Sequence, residues 1–249
     1  MSTLSLILSS FIVFIPIVVS RKEKLGLERD ILWSMARAII QLIVVGYILN
    51  FIFGMQSPIF TVALSLLMVF NASMNTKKKG ININNVRVIS YFSIFIGTLF
   101  TISILVLVGT ISFIPNQIIP IAGMIISNSM IALNISYKNL TSSFKSRQSE
   151  VEAKLSLGAN IKESSIDIIR ASVKIALIPT IDSAKTLGIV ALPGMMTGLI
   201  IAGTSPLTAI KFQIMVTFMI LASSTISTII ATYIAYRDFF NERQQLILN

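Results

Sequence analysis

The chain has 249 residues, 54% of them hydrophobic and only 12% charged, with a mean hydropathy of +0.85. That is too apolar for a soluble domain of this length. Cys and His are both absent, which excludes disulfides, Cys or His metal sites and the common nucleophile–base pairs.

Apolar blocks long enough to cross a hydrocarbon core of roughly 30 Å recur along the sequence. The expected fold class is therefore all-α, a polytopic transmembrane helix bundle. A transmembrane β-barrel would alternate with period two and turn after about 10 residues, and these blocks do neither. Seven spans are expected, at about 4–20, 31–53, 58–75, 88–112, 117–136, 186–203 and 208–234. Block 4–20 has no positive residue before it and no small-x-small site after it, so it reads as a first span rather than a cleavable signal. Neither an internal repeat nor a low-complexity linker is visible, and residues 1–249 are expected to form a single membrane domain.

The connections alternate in charge. Loop 21–30 holds Arg21, Lys22, Lys24 and Arg29; loop 76–87 holds Lys77, Lys78, Lys79 and Arg87; the tail holds Arg237 and Arg243. Segment 138–185 carries eight of the twenty Lys and Arg. The turns near 54–57, 112–116 and 203–206 carry none. Because Lys and Arg resist translocation, this pattern orients the chain N-outside and C-inside, with 138–185 cytoplasmic. The net charge of +10 is then largely an insertion signal with some attraction to anionic membrane lipids, and a nucleic-acid role is not expected.

In the second span, Arg37 either snorkels to the inner surface or faces the bundle and pairs with Asp182 or an anionic solute; Gln41 falls one turn further on the same face. Asn71 and Asn75 share a face of the third span, and Asn128 and Asn134 lie in the fifth. Such residues hydrogen-bond across helices or line a polar path.

The long polar segment centres on Glu152-Ala153-Lys154-Leu155-Ser156-Leu157-Gly158-Ala159. A helix is expected over 150–161, with Val151, Leu155 and Gly158 on one face and Gly158 breaking or tightly packing it. Ile166, Ile169, Val173 and Leu177 form a second stripe, with Arg170 and Lys174 off it. It reads as an amphipathic helix along the inner membrane face that ends at Pro179. A short helix with an exposed Glu and small residues suits a groove on a partner; a solvated linker is the plainer alternative.

Asp182 stands at the mouth of the sixth span. It either attracts a cation or couples to a proton, or caps a helix N-terminus. Pro193 is expected to kink that span, and Gly194 and Gly198 form a G-x-x-x-G that permits close helix contact, with Gly203 closing the run. Met195 and Met196 read as packing rather than as soft ligands, which favour Cu(I). The stretch 198–204 nearly spells a phosphate loop but lacks its Lys, so no ATP site is expected here.

Glu152-Ala153 followed by Gly158-Ala159 resembles the EAA motif through which ABC permeases contact their ATPase subunits, although the motif's usual Ile-x-Leu-Pro comes sooner after the Gly than Pro179 does here. Further matches are Gln41-Leu42 with Gly46-Tyr47, and Gly123-Met124 with Asn128 and Met130. The strongest is the run from Ile178-Pro179-Thr180-Ile181-Asp182-Ser183-Ala184-Lys185-Thr186 through Leu192-Pro193-Gly194-Met195-Met196-Thr197-Gly198 to Ala202-Gly203. Through most of its length the sequence is similar to the small permeases assigned to iron export in bacteria, whose plant relatives act in aluminium tolerance.

The resemblance implies a permease of the bacterial cytoplasmic membrane, not an enzyme. It also implies a homodimer and a separate ABC ATPase subunit that carries ATP and Mg²⁺, coupled through Glu152, Ala153, Gly158 and Ala159. The residues alone leave other classes open: a stand-alone gradient-driven transporter using Asp182, or a membrane assembly protein that moves nothing. With no His or Cys, an iron cargo would be held weakly by oxygen ligands, shared across a dimer or carried as a complex.

Overall fold

Nine α-helices follow one another along the described residues of a computed structural model, which are 10–55, 57–76, 83–190 and 192–247. They are α1 (Phe14–Lys22), α2 (Glu28–Met55), α3 (Pro58–Thr76), α4 (Val86–Leu107), α5 (Pro115–Ser146), α6 (Gln148–Ser156), α7 (Ile161–Thr186), α8 (Gly194–Ile201) and α9 (Pro206–Ala235). No strand occurs among the described residues; the only ladder-like contact there is an isolated bridge from Phe240 to Leu246. The chain falls into two units, residues 1–56 and 57–249.

In the first unit α1 packs on α2. The corner between them is tied by Ser20, whose hydroxyl donates to Glu28 (2.9 Å) and accepts from the Leu27 N–H (3.1 Å). The expected first span at 4–20 lies partly outside the described residues, as do Lys77, Lys78 and Lys79 of the later basic loop.

The second unit is a bundle in which α5 and α9 are the central pair. Their contacts run in step: Ser129 with Ser223 (3.0 Å), Ser136 with Thr232 (2.7 Å), then Phe144 stacked on Phe239 just past α9 (4.5 Å). Both partners advance together, so α5 and α9 are parallel. The α4 helix runs antiparallel to them, with Ser90 against Tyr137 and Gly97 against Ser223 and Ser227. These seams are made of small residues because close backbone approach, not apolar bulk, drives helix association where the surroundings are as apolar as Leu.

Among the described residues five helices are long and apolar enough to cross a membrane: α2, α3, α4, α5, and α9 with the turn after it, Pro206–Phe239. They coincide with the expected second, third, fourth, fifth and seventh spans. The expected sixth, 186–203, is not one helix: α7 ends at Thr186, and only the eight-residue α8 follows before Pro206. Pro193 therefore does not kink a span; it is the extended residue preceding α8, where a fixed φ and a missing N–H are tolerated.

Nor does Pro179 end a helix. The α7 helix passes through it to Thr186, whose hydroxyl donates back to the Asp182 and Ser183 carbonyls (both 3.1 Å). The same helix departs from the expected surface orientation as well. Its buried line is Ser165, Ile168, Ile169, Ser172 and Ala176, packed on α5 and α9, with Ile166, Val173 and Leu177 half-buried at the edge. Small residues alternate with Ile168 and Ile169 on the face toward the bundle, and the other large aliphatics stand at its edge.

Candidate functional site

The polar centre of the sequence folds into a sharp corner. The α6 helix stops at Ser156, and Gly158 takes φ +89°. Its N–H donates to the Leu155 carbonyl (3.0 Å) while the Ala159 N–H donates to Lys154 (3.1 Å). This paired closure satisfies two orphan carbonyls and needs a left-handed residue at its turn. A Cβ at Gly158 would meet nothing within 4 Å, so the glycine serves the turn and not a tight contact. Asn160 then starts α7: its side chain accepts from the Glu163 N–H (2.9 Å), and the Glu163 carboxylate accepts from the Asn160 N–H (3.0 Å).

Ion pairs stiffen α6. Arg147 donates twice to Glu150 (2.7 Å each), and Lys154 bridges Glu150 (2.9 Å) and Asp167 at the start of α7 (3.1 Å). Arg147 first, and Lys154 next, hold the Glu150 carboxyl well below its usual range, at about 2; Glu150 in turn raises Arg147 and, together with Asp167, Lys154.

On the opposite side Val151 is buried, and Leu155 packs against the same apolar cluster that holds Phe144 of α5, Ile168 and Ile169 of α7, and Phe239. The α6 helix is thus bolted to the bundle by its apolar face. It presents Glu152 and Ala153 outward, followed by Leu157, 88% exposed at the tip of the corner. Glu152 accepts from Gln148 (2.8 Å) and keeps acceptor capacity for a partner. All four coupling candidates, Glu152, Ala153, Gly158 and Ala159, lie on this corner.

The other expected site residues are scattered. Asp182 sits in the last turn of α7 and pairs with Lys185 (2.9 Å). It is therefore not a cap: an acid there opposes the helix dipole, and Lys185 offsets it. Arg37 and Gln41 are exposed on α2, and Arg37 has no ion pair among the described residues. Asn71, Asn75 and Asn128 do not bond across helices; each amide donates to the carbonyl four residues back, on Leu67 (3.0 Å), Asn71 (2.9 Å) and Met124 (2.8 Å). The Asn134 carbonyl oxygen is buried with no partner. Gly194 and Gly198 meet nothing within 4 Å among the described residues, so their G-x-x-x-G makes no close contact there, whereas Gly203 closes α8 at φ +95°. Met195 packs against the apolar cluster around Val216 and Met219. No group of three or more Asp, Glu, His or Cys able to hold a metal occurs among the described residues.

Sequence reading missed the hydroxyl seam between α4 and α9. Ser227 is buried there against Gly97 with an unpartnered hydroxyl, and Ser93 and Thr98 of α4 and Ser224 and Thr228 of α9 are likewise buried and unpartnered. The signal was present: Ser223, Ser227, Ala231 and Ala235 recur every four residues, a small-residue stripe.

Five membrane-length apolar helices, buried polar seams and a rigid polar corner at one end define a multi-pass membrane protein. The comparisons narrow this: the profile of the uncharacterised protein family UPF0014 matches residues 3–240. The chain belongs to that family. It is 50% identical over 244 residues to the probable iron export permease protein FetB of Escherichia coli, covering 98% of this chain and 94% of that one. In plants it is 39% identical to the UPF0014 membrane protein STAR2 of Oryza sativa subsp. japonica (94% and 82% covered) and 34% identical to the protein ALUMINUM SENSITIVE 3 of Arabidopsis thaliana (94% and 86%). No solved structure gives a significant match.

Proposed function

We propose that this chain is the permease subunit of an ABC transporter of a bacterial cytoplasmic membrane, exporting iron or a metal-related solute and driven by a separate ATPase that docks on the α6 corner. The observation that carries the reading is how α6 is mounted. Its outer face offers Glu152, Ala153 and the exposed Leu157, while its inner face shares one apolar cluster with α5, α7 and the end of α9. A push on such a corner moves the bundle helices with it, which a loose linker could not do. The name of the half-identical relative from Escherichia coli supplies the iron assignment. The donor set of this chain fits a weakly held oxygen-ligated ion or a complex better than a closed metal cage.

The reading includes seven crossings, N-outside and C-inside. Because α5 and α9 are parallel, the chain must return the height of the bundle between Ser146 and Pro206. In this reading α7, 26 residues long and about 39 Å at about 1.5 Å per residue, makes most of that return in place of the expected span at 186–203, and 187–205 completes it. Segment 161–185 is then not wholly cytoplasmic, as the charge pattern suggested it was. A homodimer is part of the proposal, with the open faces of Gly194 and Gly198 as its contact. Arg37, Gln41 and Asp182 remain candidates for the path.

The test is a pull-down of the tagged chain from gently solubilised native membranes, with Glu152→Lys alongside. An ATPase subunit retained by the wild type and depleted from the mutant is the expected result. Absence of any ATPase from the folded wild type would overturn the reading in favour of gradient-driven transport through Asp182.

A further inference from the structure

Beyond the last helix the chain does not trail away. After the 3₁₀ turn Tyr236–Phe239, residues 239–247 fold back on themselves. The Asn241 N–H donates to the Gln245 carbonyl (3.0 Å), the Gln244 N–H to Asn241 (2.9 Å), and the Ile247 N–H to Phe239 (2.8 Å). The Asn241 side chain closes the turn from both ends, accepting from the Gln245 N–H and donating to its side-chain oxygen (2.8 Å each). Phe239 and Phe240 anchor it against Phe144, one stacked and one edge-on (4.5 and 5.8 Å), and Leu246 packs on the cluster that includes Val151 and Leu155 of α6. The turn and α6 are therefore two ridges on one core. Between them runs an open groove of ≈ 870 Å³ whose walls are Glu152, Ser156 and Gly158 on one side and Glu242, Arg243 and Gln244 on the other.

We propose that the turn at 241–245 is the second wall of the ATPase dock, so that the partner seats a polar ridge in this groove while Leu157 enters an apolar pocket beside it. The inference rests on the ABC reading above and adds a contact that the EAA-like residues do not supply. The walls decide the kind of occupant. Their carboxylates, guanidinium and amides would each lose water to an acyl chain without replacement, but are matched by backbone and polar side chains of a protein. Their mixed charge suits a ridge carrying both donors and acceptors. Because both walls rest on one apolar cluster, a partner gripping both would transmit its movement through Phe144 to α5 and through Phe239 to α9.

The absence of Cys makes single-cysteine reporters clean. Arg243→Cys is labelled with a water-soluble maleimide in the purified permease, with and without its ATPase subunit, beside Val108→Cys at the far end of α4. In parallel, Glu242→Arg with Arg243→Glu is titrated with the ATPase, and its thermal melt is compared with wild type to confirm folding. The expected result is that ATPase slows labelling at 243 about tenfold but not at 108, and that the charge swap raises Kd about tenfold. Wild type that binds ATPase and loses it on Glu152→Lys, yet shows no protection at 243 and no change with the swap, would overturn this inference and leave the ABC reading standing. Wild type that binds no ATPase would overturn both.

Discussion

At the scale of single residues, the most constrained position is Gly97. A Cβ there would collide with the Ser227 hydroxyl and stand 3.0 Å from the Ser223 carbonyl oxygen. The hydroxyl can rotate away, but the backbone oxygen of α9 cannot move without the helix. Gly97→Ala is therefore expected to cost about 1–3 kcal/mol, the usual penalty for overpacking a filled contact. Gly198→Ala, with nothing within 4 Å, should leave the melt of the monomer unchanged. Thermal melts of both variants in the same detergent check this, and equal losses would refute the packing argument. A pattern of glycines flagged Gly194 and Gly198 in the sequence but not Gly97, because which glycine is crowded depends on the neighbouring helix. The same applies to Asn71, Asn75 and Asn128, whose amides bond their own helices and not one another's.

At the scale of the element, the α6 corner is where local chemistry and function meet. Its stop at Gly158, its restart at Asn160 and its ion pairs are all short-range, and the stop was legible in the sequence. The Glu150 carboxyl is held at about 2 by Arg147 and Lys154. A depressed acid stabilises the folded form fully above its unfolded value of about 4.3, and that contribution is lost as pH falls through the folded value. Hydrogen-exchange protection across α6 should thus be constant from pH 8 to about 5 and decline from about 4.5 towards 2. Glu150→Gln, which leaves Lys154 paired with Asp167, should shrink that step. A decline centred near pH 6 would implicate another group. In α7 the reach of local rules ended: Pro179 suggested a boundary, yet packing against α5 and α9 carries the helix on to Thr186.

On the scale of the whole molecule, the parallel course of α5 and α9 has the largest consequence, since it requires a return leg that no apolar helix among the described residues between them is long enough to make alone. Single cysteines test it from both sides of the membrane: Leu157→Cys on the α6 corner and Val108→Cys after α4 should react with impermeant maleimide from opposite faces of sealed vesicles. Labelling of both from one face would refute the seven-crossing arrangement. The same vesicles, labelled at Thr204→Cys between α8 and α9, should report the face of Val108→Cys, because the return leg ends there.

The sequence alone determined the all-α membrane class, the five membrane-length helices among the described residues, the absence of Cys and His chemistry and the position of the polar corner at Gly158. These follow from composition, hydropathy and turn residues, whose effects are local and additive along the chain. Only the tertiary structure decided that α7 is a bundle helix, that Asp182 pairs with Lys185 at a helix end, that Gly97 and not Gly194 is crowded, and that the turn at 241–245 shares a core with α6. Each depends on which surfaces meet at a distance, and in an apolar environment that is set by small residues and hydroxyls, whose meeting no periodicity along the chain records.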